Sequence, residues 1–216
     1  MTAATTKIET FFAQFPAAGY PKAHLLVAAG SKNRFFYYVE TGAVKMSLTS
    51  PTGRNLVVHI FFPGSFFSLL TLVSEGINEY DFITVVPTTV RKVPISELQL
   101  FLESHNDVLF DLQLRLLKGL QGLVKRLEQA TLTPAHQQVA NLIVYFATHF
   151  AENELSQKKD QRQLTIHITH QEIADWLGLT RENVSLHMKV LEEKGLISMQ
   201  DHLIKVPQLA ALKNVI

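Results

Sequence analysis

The stretch THQEIADWLGLTRENVSLHMKVLEEKGLI, from Thr169 to Ile197, constrains the fold more than any other part of the chain, because it sets two short helical patterns on either side of a glycine. Thr169 followed by Glu172 is a capping box, in which hydroxyl and carboxylate each satisfy a free backbone donor at a helix start. A helix therefore begins at about Gln171, buries Ile173, Ala174 and Leu177, and ends at Gly178, where a sharp turn needs a backbone without Cβ. Thr180 caps a second helix through its hydroxyl. Val184, Met188 and Leu191 recur in it at four-then-three spacing, which gives one buried face. Arg181, Glu182, Ser185 and Lys189 are left facing outward. Arg181 suits a fork to guanine O6 and N7, and Glu182 can accept from cytosine N4. After Gly195, placed as a helix C-terminal residue, LISMQDHLIKV holds two apolar runs about Gln200, Asp201 and His202, the pattern of a hairpin. Helix, helix and hairpin make a winged helix-turn-helix. The competing reading is a surface helical pair whose charges are only solvated.

The segment ITHQEIADWLGLTRENV is similar to the recognition segment of the CRP/FNR family of bacterial transcription regulators, in its QEIA start, its turn Gly178 and its Thr-Arg-Glu opening. The resemblance implies that Arg181, Glu182 and Ser185 read bases, while Thr169, Gln171 and Thr180 reach phosphates with Lys189 adding local positive charge. One departure matters. Where the best-known members carry a second Arg five residues after the first, this chain has Leu186. An apolar side chain cannot fork to guanine but can meet a thymine methyl, so the preferred half-site should differ from the family's commonest one.

The chain of 216 residues has 47% hydrophobic content, enough for one large or two small domains. It has no Cys, which removes disulfides, thiolate metal sites and the thiolate-held iron-sulfur cluster that some relatives use. No cofactor or metal is expected. The start MTAATTKIETFF lacks the basic segment and sustained apolar run of a secretory signal, which points to the cytoplasm. Leu56 to Val73 contains no Asp, Glu, Lys or Arg and approaches the length of a membrane span. Pro63-Gly64 breaks it and His59 interrupts its first half, so it reads as two short buried elements joined by a turn, with no membrane partner. The formal net charge of +1 gives no global signal for nucleic acid. Binding would rest on a local patch such as Arg181, Lys189, Lys194 and Lys205, doubled by symmetry.

From Phe35 to Val93 the pattern is short β-rich runs with turn signals, of which TSPTGR between GAVKMSL and NLVVHIFF is the clearest. Such spacing suggests an antiparallel sandwich or jelly roll. The resemblance implies a cyclic-nucleotide-binding-type β-roll here, carried by ETGAVKMSL and FFPGSFF. In relatives that bind cyclic nucleotides, a Gly-Glu-Leu segment contacts the ribose and an Arg-Ser pair holds the phosphate. The Glu position reads Leu69 here, and the Arg-Ser pair falls at about Tyr80-Asp81. A phosphate needs cationic or N–H donors, and no Arg or Lys lies between Arg54 and Arg91. The expected effector is thus not cyclic AMP. A small organic acid, a lipid-like molecule, a partner protein or no ligand at all stay open. Phe61, Phe62, Phe66 and Phe67 fit either a pocket lining or a sandwich core, and His59 fits a hydrogen-bonded strand residue better than a haem or metal ligand.

Ser96 and Gln99 offer a capping box for a short helix, and a longer one runs from about Asn106 to Gln129. Along it, Leu109, Leu116 and Leu123 recur every seven residues, with Leu112, Leu120 and Leu127 beside them. A stripe this wide must bury two faces: one against the β-roll, the other against its copy in a homodimer. Gly119 and Gly122 each cost up to about 1 kcal/mol against Ala, and close helix approach is one reason to keep them. A homodimer would read an inverted repeat in double-stranded DNA. Thr133-Pro134 opens the next helix, followed by the polar segment AENELSQKKDQRQ and a strand LTIHI; in the family a loop hereabouts can touch RNA polymerase. The whole reads as an α+β fold with a β-roll over residues 1–105, a dimerisation helix and hinge over 106–132, and a winged helix-turn-helix over 133–216. The alternatives are a cupin-like metalloenzyme, or a ligand-binding regulatory module, with an accessory helical domain. No catalytic residue is assigned.

Overall fold

The computed structural model describes residues 3–72, 74, 76–152, 162–164, 166–200 and 203–215. The chain forms two compact units, Met1–Leu123 and Val124–Ile216. The first opens with α1 (Ala3–Ala13), followed by β1 (Ala17–Tyr20), β2 (Leu25–Val27), β3 (Phe35–Thr41), β4 (Val44–Thr49), β5 (Asn55–Phe61), β6 (Phe66–Phe67), β7 (Asp81–Thr84) and β8 (Thr88–Pro94). Two helices follow, α2 (Ile95–Glu103) and α3 (Asn106–Leu132), and the division between the units falls within α3.

The strands form two four-stranded sheets, ordered β1-β8-β3-β6 and β2-β7-β4-β5. The unbroken apolar run of β3, FFYYV, explains the layering. Side chains alternate along a strand, so Tyr37 and Val39 point into the sandwich with Phe67, Val90, Val44, Met46 and Phe82. Phe36 and Tyr38 point the other way and pack with Ile8, Phe11, Phe12, Val93, Leu98, Val108 and Leu112. Helices α1, α2 and α3 thus cover the outer face of one sheet, and β3 is buried on both sides.

Of the stretch from Leu56 to Val73, the described residues 56–72 form most of β5, β6 and a 3₁₀ turn at Leu69–Leu72, with Gly64 at φ +85° between the two strands. Among the described residues no helix is long and apolar enough to cross a membrane. In the predicted TSPTGR turn, Gly53 stands at φ +78° and the Ser50 and Arg54 ends are bridged by a backbone bond of 2.7 Å.

Three sequence expectations need correction here. Ser96 does not cap α2, because Pro94 is the N-cap residue and no side-chain cap bond is made; Ser96 lies inside the first turn. Pro134 is likewise itself the N-cap of the following helix, while the Thr133 carbonyl accepts from Gln138 Nε2 at 2.7 Å. Leu112 belongs to the subunit's own core, 6% exposed beside Val108. It is therefore removed from the expected dimer seam, whereas Leu109, Leu116, Leu120, Leu123 and Leu127 are 39–68% exposed.

The second unit contains α4 (Ala135–His149), β9 (Ala151–Glu152), β10 (Arg162–Leu164), α5 (His170–Leu177), α6 (Arg181–Glu193), β11 (Ser198–Gln200), β12 (Leu203–Val206) and α7 (Leu209–Lys213). Its strands are ordered β11-β12-β10-β9. The strand expected at LTIHI comes earlier, as β10, and Thr165 lies outside the described residues. The predicted hairpin is present as β11 against β12, pairing Met199 with Ile204; the turn residues Asp201 and His202 lie outside the described residues. So does most of the segment expected as a polar loop, residues 153–161.

Gly42, at φ +82° between β3 and β4, is fixed by more than its backbone angle: a Cβ there would sit 2.5 Å from the Pro87 carbonyl oxygen and 2.7 Å from Thr88 Cα. Gly53 has a similar angle but open space around it. Gly53→Ala should cost about 1–2 kcal/mol, the left-handed penalty alone. Gly42→Ala should cost clearly more, since backbone must move as well, and urea unfolding of the two variants measures the difference.

Candidate nucleic-acid interface and effector cavity

The pair α5 and α6 is held by its ends. Thr169 accepts from the Glu172 backbone N–H at 3.1 Å, while Glu172 Oε2 accepts from the Thr169 N–H at 2.8 Å, completing the predicted capping box. Gly178 then takes φ +70°, and its N–H returns to the Ala174 carbonyl. Thr180 caps α6 by accepting from the Asn183 N–H at 3.3 Å. At the far end, Gly195 at φ +66° donates to Glu192 and Leu196 donates to Leu191, closing the helix. Val184, Met188 and Leu191 are buried as the spacing predicted, alongside Ile173 and Ala174 of α5.

With that face packed, Arg181, Glu182, Leu186 and Lys189 are exposed and Ser185 is half-buried. Leu186 is 61% exposed, so its apolar side chain stands on the outer face beside Arg181 and Glu182. Lys189 makes only a loose ion pair with Glu193, 3.8 Å apart with both side chains mostly exposed, so it stays available to another anion. Thr180 uses an oxygen lone pair for its cap, which leaves its O–H proton to donate. Gln171 spends one N–H on Asp175 Oδ1 at 2.7 Å and retains the other.

Thr169 differs. Its hydroxyl proton goes to Glu172 Oε2 at 3.0 Å and its backbone N–H to the same oxygen, so it has no donor left for a phosphate. We therefore withdraw Thr169 from the expected phosphate contacts and keep it as a helix cap.

Three residues of this unit escaped sequence reasoning. Arg126, near the end of α3, lies over the Trp176 ring at 4.9 Å and donates to the Trp176 carbonyl at 3.2 Å. Burial lowers the Arg126 pKa and pushes the neighbouring Tyr145 hydroxyl up to about 12, the latter opposed by the Arg126 charge. The apolar periodicity of α3 hides Arg126, and the chain's only Trp was the one available signal. His187 on α6 faces His136 at 6.1 Å between ring centroids, and burial, then His136, lowers its pKa. It is thereby kept neutral and adds no cation to the interface at neutral pH. The third is His170, whose Nδ1 lies 2.8 Å from Ser185 Oγ.

In the first unit a cavity of about 490 Å³ opens between the inner strands and α3. Its walls include Met46, His59, Phe61, Phe67, Phe82, Leu116 and Leu120. Several polar groups along it are bonded within the chain. Ser68 Oγ accepts from Asn33 Nδ2 at 2.6 Å, Thr71 donates to the Ser68 carbonyl at 2.6 Å, and Asn78 donates to the Ala28 carbonyl at 2.8 Å and to the Tyr80 carbonyl. Arg115 is engaged by Asp111 at 2.7 Å, the Gly64 carbonyl at 3.2 Å and Thr5 at 3.1 Å. Of the residues expected to mark the altered effector site, Leu69 lines the cavity but Tyr80 and Asp81 do not; Asn78 stands there instead. Asp81 Oδ1 accepts from the Ala29 N–H at 2.8 Å, which ties the start of β7 to the segment just after β2. Phe66 and Phe67 are core residues as well as cavity walls, so the two roles set apart in sequence coincide. Among the described residues, no group of three or more His, Asp or Glu side chains is placed to hold a metal ion.

Comparison with known proteins agrees with both halves. Residues 19–105 match the cyclic nucleotide-binding domain family, and residues 137–215 match the Crp-like helix-turn-helix domain family. The global nitrogen regulator of Synechocystis sp. PCC 6803 is 27% identical over 180 residues, 82% of this chain and 78% of that protein. The cAMP-activated global transcriptional regulator CRP of Pasteurella multocida is 25% identical over 192 residues, 88% of this chain and 90% of that protein. The structure of FixK2 from Bradyrhizobium japonicum superposes with a TM-score of 0.77 at 21% identity, covering 93% of this chain and 96% of that one. A β-roll followed by a long helix and a capped helix-turn-helix, with both domain families matched in that order, places the chain in the CRP/FNR family of transcription regulators.

Proposed function

We propose that this regulator works as a homodimer reading an inverted repeat, with Arg181, Glu182, Ser185 and Leu186 meeting base edges and Gln171, Thr180 and Lys189 meeting phosphates. The observation that carries the reading is the exposed face of α6, where a fork donor, a carboxylate and an apolar side chain stand together at the capped start of a helix whose opposite face is fully packed. Two such helices on a two-fold axis enter successive major grooves about 34 Å apart. RNA polymerase is the further partner that the family resemblance implies. Regulation in place of catalysis is the reading favoured by both matched families.

The exposed stripe of α3 supports the dimer. Leu116, Leu120 and Leu127 are more than half exposed on one helix, an apolar row of the kind that marks an interaction surface. A Cβ at Gly119 or Gly122 would meet nothing within 4 Å inside this chain, so neither glycine answers to its own subunit's packing, and a second copy is what they make room for.

The effector, on this reading, is not cyclic AMP. A cyclic phosphate needs cationic or N–H donors aimed at it, whereas the position of the relatives' Arg-Ser pair reads Tyr80-Asp81 here, and Arg115 is already bonded to Asp111, the Gly64 carbonyl and Thr5. The curated relatives include one described as cAMP-activated and one described as a nitrogen regulator, so likeness across the chain does not by itself assign an effector.

Sequencing duplexes selected from a random DNA pool at moderate salt tests the proposal: an inverted repeat is expected, and a single unpaired half-site would overturn the dimeric reading. Arg181→Ala should weaken the selected site by about 1–3 kcal/mol and blur one base position. Leu120→Glu should give a folded monomer in sedimentation, while Leu112→Ala should lose about 2–5 kcal/mol of stability without dissociating the dimer. Calorimetric titration with cyclic AMP should give no heat of binding at millimolar ligand, and stoichiometric binding would refute the effector argument.

A further inference from the structure

Ser185 is the one expected base-reading side chain that is already bonded within the protein. It stands one turn beyond Arg181 on α6, and its Oγ lies 2.8 Å from Nδ1 of His170, the first residue of α5. His170 and Ser185 are both half-buried, whereas the caps on either side are exposed. The neighbouring charges are committed or point elsewhere: Glu172 to the Thr169 cap, Asp175 to Gln171, and Lys189 toward Glu193.

A hydroxyl has one proton and two lone pairs, and a free serine turns to suit whichever base edge it meets. A serine whose proton is given to a ring nitrogen cannot do so. If Nδ1 is bare, the serine proton points at it and only lone pairs face outward, which suits cytosine N4–H or adenine N6–H. If Nδ1 carries hydrogen, the serine accepts from it and keeps its own proton and one lone pair, so the contact stays two-way.

We propose that His170 is a positioning residue for base reading: with Nδ1 accepting the Ser185 proton it leaves only lone pairs facing outward, makes an otherwise two-way contact one-way, and so gives this regulator discrimination at a base pair that His170 itself never touches. The inference rests on the base-reading role of α6 proposed above. It gives a reason for a His at the start of the first helix, where the helix dipole favours an anionic residue.

The test compares His170→Ala, Ser185→Ala, the double variant and His170→Asn, whose amide can reach the same hydroxyl without ring or charge. Each full-length variant is titrated with the selected duplex and with duplexes changed at each base pair, at several salt concentrations. His170→Ala should lower discrimination at one base pair about fivefold, the scale of one hydrogen bond, with the salt slope unchanged. Ser185→Ala should flatten the same position, and the double variant should be no worse than Ser185→Ala. His170→Asn should retain the preference. Three results would overturn the proposal. The first is a uniform loss of affinity with a shallower salt slope, which makes His170 a phosphate contact. The second is additive losses at different positions. The third is unchanged discrimination in His170→Ala while Arg181→Ala still blurs its own position. If Arg181→Ala is silent too, the failure lies in the reading of α6 and not in His170 alone.

Discussion

The packing of Val184, Met188 and Leu191 against α5 is the constraint on which recognition depends. A helix can offer a precise polar face only if the opposite face has no freedom to roll. Here three fully buried apolar side chains, a threonine cap at one end and a left-handed glycine at each turn remove that freedom. The two caps do more than finish helices. Because each satisfies backbone donors locally, the α5–α6 turn needs no outside partner for its polar groups, and Arg181, Glu182 and Leu186 are left exposed on the outer face.

The first unit meets a different demand. One sheet must be buried on both sides, by the second sheet within and by helices without, and β3 carries this in five consecutive apolar residues. The consequence reaches α3. Its Val108 and Leu112 complete the cover over that sheet, while Leu116, Leu120 and Leu123 border the cavity from the other direction. The helix that closes the core of one subunit thus also borders the space where an effector would sit and presents the stripe proposed for a second copy. A ligand that altered the packing at Leu116 or Leu120 would act on both at once, and it can shift the protein between states only by binding one better than the other.

What was legible in the sequence follows from what is local. The Thr169–Glu172 box, Gly178, the Thr180 cap and the inner faces of α5 and α6 were all readable, since capping and periodicity act within one or two turns. Leu112 was misassigned because a seven-residue repeat fixes which residues share a stripe but not which neighbour covers each edge of it. Tyr80 and Asp81 were misplaced because strand β7 begins at a residue that only three-dimensional pairing reveals, Asp81 opposite Ser47. His170 with Ser185 and Arg126 with Trp176 are 15 and 50 residues apart, and no rule of spacing couples such pairs.

The same distinction bears on specificity. Arg181 and Glu182 resemble the family's common opening, so they set what this regulator shares with its relatives. Leu186 and the His170–Ser185 pair are where it departs. On the proposed reading both departures change the kind of contact more than its strength: an apolar side chain stands in place of a fork donor, and a serine that could serve any base edge gives its proton to His170. Discrimination among sites is a difference of affinities, and it is sharpened as much by what a surface refuses as by what it binds. A leucine refuses guanine by leaving its acceptors unpaired, and a held hydroxyl refuses the base of the wrong polarity for the same reason. On the proposed reading the interface derives its selectivity from exposed side chains whose contacts only one base sequence satisfies, which would let a chain with a net charge of only +1 choose a particular operator without a strongly basic surface.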